Sequence, residues 1–307
     1  MISPRIDEIT VSGAQRPENF PVASLLLARG DRAAVRAFYR FARFADDIAD
    51  SPVLPPEAKL GALDALDAAL LGETVADDAV DTAPAQELRA VLAGLDSQVR
   101  AVVISGAGGH FCAGADVKDL VSAGDQLQAL NRAFGALLQD VEAVSPVVIV
   151  VLQGAVLGGG FGLACVSDIA IADHQAQFGL PETSLGLLPA QIAPFVVKRI
   201  GLTQARRLAL TAARFDGLEA ERLGLVHFTE RDPQALAERL DEVLGQVLRC
   251  APGANARTKA LLLASAEQPL GPLLDQAAQW FAEAVTSEEG IEGTQAFVQK
   301  RKPGWCK

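Results

Sequence analysis

From about residue 86 onward the sequence predicts an α/β fold, preceded by a segment that is helical only. Three observations carry this expectation. Apolar, β-branched runs ("VRAVVISG", "PVVIVVLQG", "IAIAD") alternate with stretches of helical period. Two of those runs lead into glycine-containing turns, "GAGGHFCAGAD" at residues 106–116 and "GAVLGGGFGLACVSD" at residues 154–168. Half of the 307 residues are hydrophobic and only 5% are aromatic, which suits a sizeable core built on Ala, Leu and Val.

The elements follow in chain order. Asp31 is placed to cap "DRAAVRAFYRFARFADDIAD", with apolar residues at Val35, Phe38, Phe41, Ala42 and Ala45. "PEAKLGALDALDAALLG" reads as a second helix between Pro55–Pro56 and Gly72. The acidic stretch "ETVADDAVDTAPA" lacks large apolar groups and reads as a loop or linker. "AQELRAVLAGLDS" is then an amphipathic helix, "VRAVVISG" a strand, and "GDQLQALNRAFGALLQDVEAV" a long helix. "PVVIVVLQG" is a buried strand, "GFGLACVSD" opens a helix, and "IAIAD" is a short strand. After about Asp216 the pattern is mainly helical, through "LEAERLGL", "DPQALAERLDEVLGQVLRC", "ANARTKALLLASA" and "LGPLLDQAAQWFAEAVTSEEG".

Composition removes several functional classes. A net charge of −11 with no basic face argues against a nucleic-acid partner. Cys112, Cys165, Cys250 and Cys306 are far apart, with no CxxC pair and no metal spacing, so no metal and reduced thiols are expected. The opening "MISPRIDEIT" is charged and has no apolar signal region, so a cytoplasmic location is expected. Residues 144–172 are apolar enough to raise the question of a membrane span. Gln153, the three glycines and Asp168 interrupt them, which favours a buried strand, a turn and a buried helix.

The glycine turns point to chemistry. A strand that ends in glycines before a helix aims free N–H groups outward, and the helix dipole adds partial positive charge there. Two such donors converging on one point form an oxyanion hole. The GGGFG run lacks both the GxGxxG spacing and the lysine of a phosphate-binding loop. Tight strand–helix packing is the structural alternative.

"HFCAGAD", "GAVLGGGFGLACVSDIAIA", "AQFGLPETSLGLLP" and "ARRLALTAARFDGLEAERLGLV" occur in one order and spacing. Together they resemble the crotonase (enoyl-CoA hydratase/isomerase) superfamily over about residues 87–305. The resemblance implies a ββα spiral core and a coenzyme A thioester as the substrate, with no separate cofactor. It implies that the backbone N–H groups of Ala115 and Gly159 form the oxyanion hole, and that Glu182, in the "FGLPE" stretch, moves the proton. Ala113, Asp116 and Gly158 line the same turns as substrate-binding positions. Lys118, with Lys300, Arg301 and Lys302 in the tail, offers charge to the CoA phosphates. Family hydratases often carry a second glutamate three residues after the oxyanion glycine. Here that position is Gly162, a departure from the pattern.

Gly162 and "GLLPAQIAPFVVKRIGLTQARRLALTAARFDG" most resemble members acting on branched glutaconyl-CoA thioesters, the isohexenylglutaconyl-CoA hydratase-like branch. Gln191 is then a candidate partner for a second carboxylate. Water addition to a 2-enoyl-CoA is the implied reaction, with double-bond isomerisation as the alternative. The resemblance also implies a homotrimer or a dimer of trimers.

The first 85 residues lack the strand hairpin with which crotonase-like chains usually open. "ENFPVASLLLARGDRAAVRAFYRFARFADDIADSP" instead resembles the start of squalene/phytoene synthase-like proteins, with Asp46, Asp47 and Asp50 as their first aspartate-rich motif. The expected division is a helical fragment at 1–85, a crotonase-like core at 86–248 lacking its usual first strands, and a C-terminal helical region at 249–307. A hybrid of this kind is either an active acyl-CoA enzyme or an impaired one lacking part of its CoA site.

Overall fold

The computed structural model describes residues 83–114 and 124–306, all within the compact unit Val80–Lys307. The helices expected at 31–72, the acids Asp46, Asp47 and Asp50, and the site residues Ala115, Asp116 and Lys118 lie outside the described residues.

The order is α1 (Ala83–Ala93), β1 (Ala101–Ser105), α2 (Leu127–Ala143), β2 (Val147–Leu152), β3 (Ala155–Leu157), α3 (Gly159–Val166), β4 (Ile169–Asp173), β5 (Gln177–Gly179) and α4 (Ala193–Thr211). It continues with β6 (Arg214–Phe215), α5 (Gly217–Arg222), β7 (Phe228–Glu230), α6 (Pro233–Leu248), α7 (Pro252–Ala264), α8 (Leu270–Thr286) and α9 (Glu288–Val298). One sheet runs β1-β2-β4-β7 and is parallel throughout. A second, smaller sheet pairs β3 with β5 in parallel and β5 with β6 antiparallel.

The apolar runs explain the layers. "VVIVVL" has no polar face, and β2 is buried along almost its whole length, as a central parallel strand must be. β1 is the edge strand among the described residues, and its side chains are half-covered or exposed. Helix α3, "GGFGLACV", is apolar all round and lies in the core between α2 and α4. The apolar run at 144–172 is therefore divided among β2, the short β3, the buried helix α3 and most of β4, and no described helix is long and apolar enough to cross a membrane.

The region after Asp216 is mainly helical, as expected, with one strand that the sequence does not mark: Phe228–Glu230 forms β7 and pairs in parallel with β4. Strands of two or three residues (β3, β5, β6 and β7) are too short to show a period of two in the sequence.

Two features hold the layers together. Arg199 on α4 donates to the carbonyls of Ser167 and Leu225, and burial holds its guanidinium below the ordinary arginine range. Asp168 accepts from the Val148 amide and from Lys259 Nζ, each at 2.7 Å, tying the end of α3 to β2 and α7. Phe161, Phe178 and Phe215 then lock α3 onto the small sheet. Phe178 stacks on Phe215 at 5.6 Å between ring centroids, and Phe161 meets both edge-on.

Phe161 and Phe178 are fully buried. Phe178→Ala should therefore lower stability by about 3–5 kcal/mol, read as a fall in the midpoint of denaturant unfolding. An unchanged midpoint would show that the aromatic cluster does not hold the small sheet.

Candidate active site

β1 and β2 are parallel neighbours, with Ser105 paired to Val151 near their C-terminal ends. The two glycine turns leave from those adjacent ends, the usual place for a ligand in an open parallel sheet. The first turn is fastened to β3. The Phe111 and Cys112 amides donate to the Ala155 carbonyl at 3.1 and 2.9 Å, and the Leu157 amide donates to the Cys112 carbonyl at 2.9 Å. Both turns thereby become parts of one small sheet.

Gly158 is where the second turn bends into α3. Its φ of 47° and ψ of −110° suit glycine and strain any other residue. Its amide is engaged by the Gly179 carbonyl at 3.2 Å. The amide of Gly159, the first residue of α3, has no intrahelical acceptor and makes no other backbone hydrogen bond among the described residues. Gly159 is thus a donor at a helix N-terminus, as the glycine pattern predicts. A Cβ at Gly159 would sit 3.0 Å from the Phe134 ring of α2, so that ring closes one side of the turn.

Glu182 reaches the same place from β5. Leu157 pairs with Gly179, and the chain then runs through Leu180 and Pro181 into a short 3-10 turn at Glu182–Leu185. The Thr183 hydroxyl donates to the Ala209 carbonyl at 2.7 Å and anchors that turn to α4. A Cβ at Gly158 would lie 3.2 Å from Glu182 Oε1 and 4.0 Å from the Gly114 Cα. The carboxylate, the second turn and the last described residue of the first turn therefore meet at one point.

Glu182 Oε2 is buried and has no hydrogen-bond partner among the described residues. Burial pushes the carboxyl above the ordinary carboxylate range, and the lowering by its own backbone N–H is the weaker effect. A raised carboxylate beside a free amide donor is suited to proton transfer at a carbon next to a carbonyl.

The remaining candidates fall into place as follows. Gly162 is buried, and a Cβ there would lie 3.3 Å from both Ile192 Cγ1 and Leu138 Cδ1. The position where a second glutamate would stand is walled by apolar side chains. Gln191 is half-buried and donates to Asn131 Oδ1 at 3.1 Å. Its side-chain oxygen occupies the space that a Cβ on Gly135 would need, and Arg132 Nη1 lies 3.1 Å from that point. Ala113 is exposed on the first turn. Cys112 packs against the backbone of Gly160, a packing role as its small size predicts.

In the tail, Arg301 forms a two-pronged ion pair with Glu292 at 2.6 and 2.7 Å, and that contact holds the Glu292 carboxyl down at about 2. Arg301 is thus held against Glu292 at the surface of the tail. Lys300 and Lys302 make no ion pair among the described residues. His174 and His227 hold backbone and neighbouring groups, His227 accepting from the Ala170 amide at 3.0 Å. Sequence reasoning missed His110, whose Nδ1 accepts from the Ala155 amide at 3.0 Å and so joins the two turns.

Residues 73–307 match the family described as enoyl-CoA hydratase/isomerase, and residues 14–105 match squalene/phytoene synthase. A probable enoyl-CoA hydratase of Bacillus subtilis (strain 168) is 34% identical over 68% of this chain and 82% of its own length. The structure of Pseudomonas aeruginosa AtuE is 66% identical with a TM-score of 0.73, covering 74% of this chain and 90% of that one. An enoyl-CoA hydratase/isomerase from Marinobacter aquaeolei is 51% identical with a TM-score of 0.71, covering 73% of this chain and 89% of that one. The chain belongs to the crotonase, or enoyl-CoA hydratase/isomerase, family of enzymes.

Proposed function

We propose that this chain adds water reversibly to the double bond of a 2-enoyl-CoA. The observation that carries the reading is the Glu182 carboxylate, half-buried and unpaired, against the Gly158 turn. In the proposed step the oxygen of a water bonds to Cβ and Glu182 takes the water's proton. The double-bond electrons move onto the thioester oxygen as an enolate, which the amides of Ala115 and Gly159 hold. Glu182 then returns the proton to Cα, and the enolate collapses to the thioester. Water is added in full, and the enzyme ends as it began. The step asks nothing of a metal.

A second reading is favoured by Gly162. With Ile192 and Leu138 beside that position, Glu182 is the one carboxylate placed at the turn among the described residues. One carboxylate can also carry a proton between two carbons of the acyl chain, which is isomerisation.

For substrate we propose an acyl group with its own carboxylate, a branched glutaconyl-CoA. The support is Gln191, held by Asn131 beside the Arg132 guanidinium, one residue from the Ile192 that borders Gly162. Ala113, Asp116 and Gly158 line the acyl path in this reading, and Lys118 with Lys300 and Lys302 faces the CoA phosphates. We also propose that 1–85 is a foreign helical piece joined to a crotonase-like chain. Self-assembly into trimers fits the exposed stripe Leu270, Leu274, Phe281 and Val285 along α8. A sizing column should show three or six copies, and a monomer at micromolar concentration would contradict this.

The central test is turnover of an enoyl-CoA panel, including a glutaconyl thioester, followed by loss of the conjugated-thioester absorbance. Glu182→Gln should cut kcat by about 10²-fold or more. Activity of the unaltered chain should fall with acid at a pH above the ordinary carboxylate range, because the base must be ionised and its carboxyl is raised. No turnover of any enoyl-CoA would overturn the reading.

The same variant has a stability signature. A raised carboxyl favours the fold below the ordinary value of 4.5, and that contribution is lost as pH rises through the folded value. Glu182→Gln should therefore melt no lower than the unaltered chain at pH 7, with any gain vanishing toward pH 4.5. A clear fall in Tm at pH 7 would show the carboxylate to be a structural partner.

A further inference from the structure

We infer that His110 is a positioning residue that holds the two glycine turns in register, and that it does so only as a neutral imidazole. The inference rests on the reading that those turns carry the two oxyanion-hole amides.

The geometry is specific. The Ala155 amide can only donate, so His110 Nδ1, at 3.0 Å, must present its lone pair and the ring proton must sit on Nε2. Ala155 belongs to β3, and its carbonyl already accepts from Phe111 and Cys112 of the first turn. The His110 side chain thus supplies the acceptor that the β3 backbone lacks on this side. Gly154 makes room for the ring: a Cβ there would overlap both Nδ1 of His110 and the Gly109 carbonyl. Gly106 makes room for the backbone on either side of it, since a Cβ there would overlap the His110 carbonyl and the Phe111 Cα.

Its position gives the contact leverage. Five residues after His110 comes Ala115, and four residues after Ala155 comes Gly159. A bond between His110 and Ala155 therefore ties the stretch that leads to Ala115 to the stretch that leads to Gly159, beside the backbone bonds of Phe111, Cys112 and Leu157. Protonation puts hydrogen on Nδ1, opposes it to the Ala155 N–H and removes the bond. The imidazole is exposed, so solvent protons reach it. Few charged groups compete. Cys112 is the other titratable side chain on residues 106–114, and Gln153–Leu157 and Gln177–Gly179 carry none. Asp116 and Lys118 follow in sequence, outside the described residues.

The experiment uses the full chain and its His110→Asn and His110→Leu variants, with a 2-enoyl-CoA as probe. Asn keeps an acceptor near the Nδ1 position but cannot be protonated, whereas Leu offers none. His110→Leu should lower kcat about tenfold or more while KM changes little, since oxyanion donors act chiefly in the transition state. His110→Asn should restore most of that loss.

Imidazole ¹⁵N shifts of histidine-labelled chain should show Nδ1 unprotonated at pH 8, independent of turnover. An Nδ1–H tautomer at pH 8, a His110→Leu variant with unchanged kcat, or a His110→Asn variant no better than His110→Leu would each overturn the inference. If the unaltered chain turns over no enoyl-CoA, the acyl-thioester reading fails instead. The positioning role then falls with it, even where the tautomer is the expected one.

Discussion

The site depends on a three-residue parallel pairing, β3 with β5. Leu157 lies opposite Gly179, and the Gly158 amide closes on the Gly179 carbonyl at 3.2 Å. From that last rung one strand turns into α3 and presents the Gly159 amide, while the other runs three residues to Glu182. Donor and carboxylate therefore share a single reference frame. A pairing this short is marginal alone. The Phe161–Phe178–Phe215 cluster stabilises it by burying one ring from α3, one from β5 and one from β6 together.

Space at the site is managed by glycines facing bulky partners. Gly159 faces the Phe134 ring, Gly160 faces Cys112, Gly162 faces Ile192 and Leu138, and Gly135 faces Gln191. Glycine within a helix costs about 0.5–1 kcal/mol relative to alanine. The cost is offset because each missing Cβ lets another element come closer. Gln191 and Ile192 are adjacent in sequence, and each occupies the space beside a helical glycine, one on α2 and one on α3. Sequence change at either partner is therefore coupled to change at its glycine. A glutamate at Gly162 would need a new residue at 192 as well as a new acid.

Much of this was legible before any coordinates. The run "PVVIVVL" reads as a buried strand, and "GFGLACVSD" as the opening of a buried helix, once Gln153, the glycines and Asp168 weigh against a membrane span. The motif resemblance placed Glu182 and Gly159 together across 23 residues of sequence, and the structure brings their neighbourhoods into contact. What could not be read were features whose cause lies elsewhere in the chain. β7 forms because β4 has an open edge at Ile171–Asp173, not because "FTE" has a pattern. Arg301 looked free in the sequence because its partner, Glu292, is one of many exposed acids. His110 looked idle because its partner is a backbone amide 45 residues away, and backbone amides leave no mark in a sequence.

The single carboxylate follows from charge. Before reaction the described residues of the turn hold one negative charge, on Glu182. In the proposed step Glu182 becomes neutral as the thioester oxygen becomes an enolate, so the charge moves without increasing. Burial, which raises the carboxyl, makes Glu182 a stronger base and eases the transfer toward that oxygen. The free amide at the start of α3 is strongest in such a place, where little water screens it. A second ionised acid at 162 would add a charge that the amides do not face, in a space bordered by Ile192 and Leu138. In that apolar wall it would stay protonated or repel the enolate. Without it, one negative charge has two resting places in the proposed step, the Glu182 carboxylate on one side and a thioester oxygen facing the Gly159 amide on the other.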